Sequence, residues 1–371
     1  MQIKTITCHD VYNFGASLQA YALQTFLQKQ GHEVEIIDYI PTYKHFYELF
    51  RLYDMGIFGR IMKICPFIEP ILALIQHRNW IKRIPMFWRY RRFKSKMLNC
   101  TKRKYKSIED LKQYKPKADI FIAGSDQIWN TAFMNGLDPA YYCMFESDSN
   151  KCVTYAASFG ISSIPENHIE FVKKGLANFR SISIREKSGV ELAKRLGFEA
   201  ENVLDPVFLL SKKEWESLIK KRHKEKYLLV YDFANNDRRM EEIAVKIAKE
   251  RGLKIYSFNS IKTYIEKTLF NCGPIQFLEW IAGADMVVSN SFHATAFSTI
   301  FERDFYTIPL KGHGNSSRMK DYLESIDLES RYIENVEYVM ASKHIDYYKY
   351  RNKMNDQREK SKEWLLDSIN I

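Results

Sequence analysis

Apolar positions along the chain alternate between short runs typical of strands and longer stretches with helical spacing. Residues 2–7 and 33–39 predict two strands. Between them, Gly31 ends a predicted helix whose apolar positions are Leu18, Ala22, Leu23, Phe26 and Leu27. Two strands joined by a helix pair in parallel, and ligands bind beyond the carboxyl ends of such strands. We therefore expect the loop around Asn13 and Gly15 to face a ligand.

The alternation of strands and helices continues to about residue 308. Strands are predicted at residues 118–123, 152–157, 227–233, 254–258, 285–289 and 305–308, with one more ending at Arg185. Helices are predicted at residues 166–179, 238–251, 274–284 and 292–302, and around Val190 to Leu196. This order predicts two open, mostly parallel sheets in Rossmann-like domains that enclose a central cleft. We place the domains at 1–165 and 166–371, because Gly, Ser and Pro residues cluster at 160–168.

Composition narrows the class of protein. The chain has 371 residues, of which 46% are hydrophobic and 27% charged, so it can bury sizeable cores. The net charge of +11 favours anionic partners, and nucleic acid, anionic lipid and phosphorylated substrates all fit it. Six cysteines without CxxC spacing, and no apolar leader, predict a reduced cytoplasm and no structural zinc. The longest apolar stretch, residues 57–75, contains three charged residues and two prolines, so we expect no transmembrane helix.

An insertion at about residues 44–106 does not follow the alternating pattern. Its part from Arg78 to Lys106 carries twelve Lys or Arg and no acidic residue, with aromatic residues between the charges. Such a segment fits contact with an anionic membrane. It equally fits a solvated pair of basic helices whose aromatic face packs on the domain. A nucleic-acid patch is a third interpretation, without a recognisable motif to support it.

The sharpest local arrangement is an apolar strand that runs into Ser289, Asn290, Ser291, Phe292 and His293. Helix amino termini have unpaired N–H groups and positive partial charge, so this junction predicts an anion site. An imidazole there can exchange a proton near neutral pH. The alternative is that Ser291 caps the helix and His293 bonds a neighbouring carbonyl.

Four further polar residues, at the ends of predicted strands or at the start of a predicted helix, are candidates for binding a ligand. Arg185 can grip a carboxylate or phosphate in bidentate fashion, and Asn315 and Arg318 stand at the start of a helix after a Gly-containing loop. Each arginine can instead form a surface ion pair. Asp126 can serve as an acid, a hydroxyl acceptor or a helix cap.

Six motifs in order resemble the polysaccharide pyruvyl transferase family. They are HDVYNFGASLQAYALQ, FIAGSDQIWN, SIREKSG, VLDPVFLL, VVSNSFHATAFSTIF and NSSRMKDYL. The resemblance implies a GT-B-like pair of domains and an enzyme that moves pyruvate from phosphoenolpyruvate onto a sugar as a ketal. It also implies a role in making a bacterial capsule or exopolysaccharide.

The resemblance also implies roles for particular residues. It places the family's essential histidine at His293 and a phosphoenolpyruvate ligand at Arg185. Many members have Arg-Leu-His where this chain has Ser291-Phe292-His293, so we expect Arg318 to replace the missing arginine. Ser291 and Asn315 complete the predicted phosphoenolpyruvate site.

The first domain is expected to hold the sugar acceptor through Asn13, Gln19, Asp126 and Gln127. We expect phosphoenolpyruvate as donor substrate, no cofactor or metal, and an acceptor that is either free or linked to a lipid pyrophosphate. The expected location is the cytoplasm, with possible contact with the inner membrane face, and no nucleic acid is expected. The alternatives are a nucleotide-sugar glycosyltransferase of the same architecture and, more distantly, a non-enzymatic RNA-binding or scaffold protein.

Overall fold

The protein contains two parallel sheets flanked by helices. The computed structural model describes residues 1–42, 80–233, 237–310, 316–340 and 343–370. The strands are β1 (Gln2–Ile6), β2 (Glu33–Tyr39), β3 (Cys100–Tyr105), β4 (Ile120–Ala123), β5 (Cys152–Thr154), β6 (Ser183–Ile184), β7 (Glu201–Asn202), β8 (Tyr227–Tyr231), β9 (Lys254–Ser257), β10 (Lys267–Thr268), β11 (Met286–Ser289) and β12 (Asp304–Thr307). The helices are α1 (Phe14–Lys29), α2 (Trp80–Met97), α3 (Ile108–Gln113), α4 (Glu166–Leu176), α5 (Lys187–Arg195), α6 (Lys212–Glu216), α7 (Arg238–Arg251), α8 (Pro274–Ala282), α9 (Phe292–Ile300), α10 (Ser316–Ser325) and α11 (Arg351–Asn370).

The first sheet has the strand order β3-β2-β1-β4-β5, with every pair parallel. Its opening β1-α1-β2 unit is the one predicted from the sequence. The helix starts where the Asn13 side chain accepts a hydrogen bond from the Ala16 amide, and it ends before Gly31, whose φ of +85° suits a glycine.

Strands β6 and β7 continue the first sheet beyond β5. The Ala157 amide donates to the Ser183 carbonyl at 3.2 Å, and the Arg185 amide donates to the Ala157 carbonyl at 3.0 Å. The predicted boundary at residues 165 and 166 therefore lies within the part of the chain that extends this sheet. The strands of the second sheet begin only at β8.

The second sheet has the order β10-β9-β8-β11-β12 and is also entirely parallel. All four residues of β11 and of β12 are buried, because helices cover both faces of the sheet. Helix α7 has the predicted bounds, and α8 and α9 begin where predicted. The sequence therefore located the elements that end at the candidate site.

The basic segment forms one helix and an edge strand, α2 and β3, so a pair of helices was the wrong prediction for its described part. Tyr90 and Phe93 are buried, whereas Trp88 is 65% exposed. Strand β3 pairs with β2 because its apolar ends, Cys100 and Tyr105, meet Ile36 and Tyr39. The rest of the predicted insertion, residues 44–79, lies outside the described residues.

The last helix, α11, returns to the first half of the chain. The Leu204 amide donates to the Ser361 hydroxyl at 2.9 Å, and Arg180 donates to the Ser368 carbonyl at 2.6 Å. Trp364 lies against Tyr155. Among the described residues, no helix combines the length and the apolar character that crossing a membrane requires.

Candidate active site

A buried carboxylate, Asp205, joins the polar residues at the strand ends. It follows β7, is wholly buried, and accepts a hydrogen bond from the Val207 amide at 3.1 Å. Its Oδ2 accepts from the Ser125 hydroxyl at 3.2 Å and from the Arg185 guanidinium. The same oxygen lies 3.5 Å from Nε2 of His293. One carboxylate thus contacts a cation after β6, a hydroxyl after β4 and the imidazole after β11.

The charges around Asp205 keep it ionised. Burial by itself raises the pKa of this carboxyl, but His293 and Arg185 lower it, and the pKa lies well below its ordinary value. Asp205 is therefore an anion at neutral pH, and it faces the imidazole of His293 at the end of β11.

The His293 side chain is 12% exposed and lies against the start of α1. A Cβ atom built on Gly15 would be 1.9 Å from Nδ1 of His293 and 2.3 Å from its Cε1. Only a glycine allows this approach of backbone to imidazole. Because Nε2 faces Asp205, Nδ1 is the nitrogen that lies beside the amino terminus of α1.

Arg318 is a buried cation in α10 that forms no ion pair with any carboxylate of the described residues. It is 6% exposed, and its Nε lacks a hydrogen-bond partner. Burial, with the like charge of Arg185 next, lowers the pKa of Arg318 to about 10. The guanidinium group of Arg318 lies 5.9 Å from the centre of the ring of Phe292, the residue before His293, and the guanidinium group of Arg185 lies 5.0 Å from it. An anion bound there would relieve the repulsion between the two cations.

Arg185 also has N–H groups that are available to donate hydrogen bonds to a ligand. One of its nitrogens pairs with Asp205, but Nε and Nη2 are buried and have no hydrogen-bond partner among the residues that the structure describes. The carboxylate of Asp126 lies 3.9 Å from Nη2. The predicted anion ligands Arg185 and Arg318 are therefore brought together beside His293.

Ser291 occupies the N-cap position of α9, but its side chain makes no capping hydrogen bond. Its amide donates to the Ser289 hydroxyl at 2.9 Å, so this particular N–H is already used within the turn. Asn315, the other residue predicted to bind phosphoenolpyruvate, lies outside the described residues.

The predicted acceptor residues of α1 have different environments. Asn13 is partly exposed and accepts from the Ala16 amide at 3.2 Å. Gln19 is wholly buried, and its amide donates to the Thr7 hydroxyl at 3.0 Å and to the Ala16 carbonyl at 2.9 Å. Gln19 therefore has no exposed surface in this structure, and its Oε1 has no hydrogen-bond partner among the described residues, so its role in acceptor binding stays a prediction.

Asp126 and Gln127 follow β4 and are both partly exposed. Asp126 has a φ of +75°, an uncommon conformation outside glycine, and its Oδ1 accepts from the Gln127 amide at 2.8 Å. The Gln127 side chain accepts from Asn130 at 2.7 Å. The strained turn holds the Asp126 carboxylate near Arg185, as is common at functional sites.

A second polar cluster could in principle bind a metal. One ligand atom each from His9, Asp38 and Cys100 lie within 4.8 Å of one another. The ammonium of Lys94, however, lies 2.6 Å from Asp38 Oδ1 and 2.9 Å from Asp10. Lys94 already supplies the positive charge, so this cluster ties α2 to the first sheet.

Asp205, the residue that organises the site, was not among the residues predicted from single motifs. Its signal was a lone carboxylate between apolar residues in Val-Leu-Asp-Pro-Val-Phe, because a buried acid requires cationic or hydrogen-bonding partners. Phe292 was also missed as the ring that both guanidinium groups cover. Ser125 was passed over in favour of Asp126 beside it.

Comparison with solved structures identifies the fold. UDP-N-acetylglucosamine 2-epimerase from Rickettsia bellii aligns with a TM-score of 0.54 and 11% identity over 100% of this chain and 97% of its own. The UDP-GlcNAc 2-epimerase from Methanocaldococcus jannaschii aligns with a TM-score of 0.53 and 13% identity over 99% of each chain. These similarities show an α/β fold of the GT-B type, as expected from the sequence.

Sequence comparison identifies the family. No curated protein matches the chain. A family model described as polysaccharide pyruvyl transferase matches residues 13–311, a span that runs from the N-cap of α1 to beyond β12 and includes Arg185, Asp205 and His293. The chain therefore belongs to the polysaccharide pyruvyl transferase family.

Proposed function

We propose that the protein transfers a pyruvyl group from phosphoenolpyruvate to two hydroxyls of a sugar, forming a cyclic ketal. The observation that carries this proposal is the buried guanidinium of Arg318, which has no carboxylate partner among the described residues and lies next to Arg185 and His293. A buried cation without a counter-ion is costly unless an anionic ligand completes the site. Phosphoenolpyruvate carries two anionic groups, a phosphate and a carboxylate.

Both arginines have N–H groups that can donate hydrogen bonds to the anionic groups of phosphoenolpyruvate. Within the described part of the chain, Nε of Arg318 and both Nε and Nη2 of Arg185 lack a hydrogen-bond partner, while the other terminal nitrogen of Arg185 binds Asp205. Charge-assisted hydrogen bonds to an anion contribute about 1.5–3 kcal/mol each. Arg318 takes the place of the arginine that many members of the family have two residues before the histidine, where this chain has Ser291.

His293 supplies the proton. The Asp205 carboxylate faces Nε2 at 3.5 Å and orients the ring, and Nδ1–H donates its proton to the methylene carbon of phosphoenolpyruvate. The carbon that bears the phosphate then becomes oxocarbenium-like. A sugar hydroxyl oxygen forms a bond to that carbon and passes its proton to Nδ1 of His293, and the carbon–oxygen bond to phosphate breaks. A second hydroxyl attacks the same carbon, passes its proton to the departing phosphate and closes the ketal.

The acceptor binds on the side of α1 and β4. Asn13, Asp126 and Gln127 are partly exposed there and offer hydrogen-bond acceptors to sugar hydroxyls. The acceptor is a repeat unit of a capsular or extracellular polysaccharide, carried on a lipid pyrophosphate. The reaction would then take place at the inner face of the cytoplasmic membrane, and its steps use no cofactor.

A change of melting temperature on adding phosphoenolpyruvate tests the donor. We expect stabilisation that grows with concentration, by about 2.7 kcal/mol at 100 times the dissociation constant. Arg318→Gln should weaken this effect at least about tenfold in apparent affinity. Lys320→Gln is the matched control, because it removes one charge from an exposed position of the same helix.

The same assay separates the two enzyme classes. If UDP-sugars stabilise the protein and phosphoenolpyruvate does not, the protein is a nucleotide-sugar glycosyltransferase and the donor assignment is wrong. Incubation of phosphoenolpyruvate with synthetic lipid-linked sugars should in turn release phosphate and give a product with the mass of the ketal. Equal responses of Arg318→Gln and Lys320→Gln to phosphoenolpyruvate would remove Arg318 from the site.

A further inference from the structure

Helix α2 and the neighbouring strand β3 both carry exposed cations. The outward positions of α2 are spaced three or four apart, as Trp88, Arg92 and Lys96 show. Strand β3 follows after only two residues. We define the basic face as the exposed residues Trp88, Arg91, Arg92, Lys96, Lys102, Arg103, Lys104 and Lys106.

The cations of the basic face are not used to hold the fold together. None of the seven forms an ion pair with a carboxylate of the described residues, and Arg103 lies 3.8 Å from the centre of the Tyr114 ring. On the inner side of α2 the opposite holds: Lys94 pairs with Asp10 and Asp38, and Arg89 donates to the Asn271 carbonyl at 2.6 Å. The helix thus separates structural cations from cations that face solvent.

Trp88 is the unexpected member of this face. It is 65% exposed, although the neighbouring aromatic residues Tyr90 and Phe93 are 6% and 4% exposed and pack against Tyr12 and Tyr21. The Arg91 guanidinium lies 5.9 Å from the Trp88 ring centre. The indole of Trp88 is therefore not packed in the core, and it lies on the exposed side of a helix among cations.

We propose that the basic face docks the protein on an anionic lipid bilayer. The cations are attracted to lipid phosphates, and the indole of Trp88 enters the headgroup region, where amphipathic rings are favoured. Single-stranded nucleic acid is the less suitable occupant, because its binding requires several aromatic rings on which successive bases stack. Trp88 is the exposed aromatic residue of the face, and the ring of the nearby Tyr114, which is 44% exposed, is already covered by Arg103. This inference concerns binding alone and does not depend on the proposed reaction.

Sedimentation with lipid vesicles tests the proposal on the full chain. We expect binding to vesicles of 30% phosphatidylglycerol in phosphatidylcholine and much weaker binding to pure phosphatidylcholine. Binding to the anionic vesicles should fall steeply as salt rises, because the Debye length falls from about 10 Å at 0.1 M to about 3 Å at 1 M. The variant Arg91→Gln/Arg92→Gln/Lys96→Gln should bind on the order of 100-fold more weakly.

The matched control is Lys194→Gln/Lys224→Gln/Lys249→Gln, which removes the same charge from exposed positions elsewhere and should bind as the wild type does. Trp88→Ala should bind more weakly than the wild type at low salt and should lose the binding that persists at high salt. Melting temperatures check that every variant is folded.

Three results would overturn the proposal: no binding at 50 mM salt, equal binding to the two lipid compositions, or equal loss in the two triple variants. Tighter binding to a labelled single-stranded RNA than to the anionic vesicles would also overturn it and assign the face to nucleic acid.

Discussion

The contact between Gly15 and His293 gives the sharpest test of the site, because it joins the two halves of the molecule through a single missing methyl group. In Gly15→Ala the new Cβ would be 1.9 Å from Nδ1 of His293, whereas ordinary contacts begin at 3.4 Å. The imidazole or the start of α1 must therefore move by about 1.5 Å. Overpacking of this kind costs about 1–3 kcal/mol. Alanine offsets part of this cost, since it is favoured over glycine in a helix by up to about 1 kcal/mol.

A double-mutant cycle measured by urea unfolding isolates that contact. With the full offset, Gly15→Ala should destabilise the wild type by about 0–2 kcal/mol, the difference between the two effects. In a His293→Ala background the space is open, and the same change should be neutral or stabilising by up to about 1 kcal/mol. The coupling between the two positions should thus be about 1–3 kcal/mol.

The Gly15→Ala substitution should also lower the activity of the protein. A displacement of about 1 Å in a reacting group can lower the rate about 100-fold, so Gly15→Ala should lower phosphoenolpyruvate-dependent phosphate release by that order while the protein stays folded at the assay temperature. An equal change in unfolding free energy in the two backgrounds would refute the close approach of Gly15 to His293. Unchanged turnover in Gly15→Ala would refute the role of the imidazole position.

Further predictions address the other residues of the site. His293→Gln should keep less than about a tenth of wild-type turnover with an unchanged melting temperature, because general acid catalysis contributes about 10²–10⁴; greater activity would contradict its role. Asp205→Asn should lower the unfolding free energy at pH 7 by about 3–5 kcal/mol, since it leaves Arg185 buried without its partner. Because the folded pKa of Asp205 lies below its ordinary value, this stabilisation is present above about pH 4 and is lost as the pH falls further. The difference between wild type and Asp205→Asn in urea unfolding should therefore shrink from pH 7 to pH 3, and a constant difference would contradict the assignment. Ser291→Arg should partly restore phosphoenolpyruvate binding to Arg318→Ala if both positions reach the same anion, whereas no recovery in a thermal-shift titration would place them on different ones.

Much of the architecture could be read from local patterns. The β1-α1-β2 unit, the strands of the second sheet near its centre and the starts of α8 and α9 follow from apolar spacing, glycine and helix caps, which act within a few residues. The short strands β7 and β10 escaped prediction, because two residues contain too little periodicity. Strand β3 escaped it because the run Lys-Arg-Lys lies at a sheet edge, where charged residues are tolerated.

The sequence by itself determined the strand-to-helix junctions and therefore the candidates His293, Arg185 and Arg318. Whether each was a ligand, a cap or a surface ion pair depended on contacts between residues far apart in the chain. Only the tertiary structure decided that Asp205 lies against both Arg185 and His293, that Arg318 is buried without a carboxylate among the described residues, and that Gln19 faces the core. The physical reason is the distance along the chain between the residues that interact. Helix and strand formation depend mainly on neighbouring residues, whereas burial and charge pairing depend on how the two sheets bring distant strand ends together.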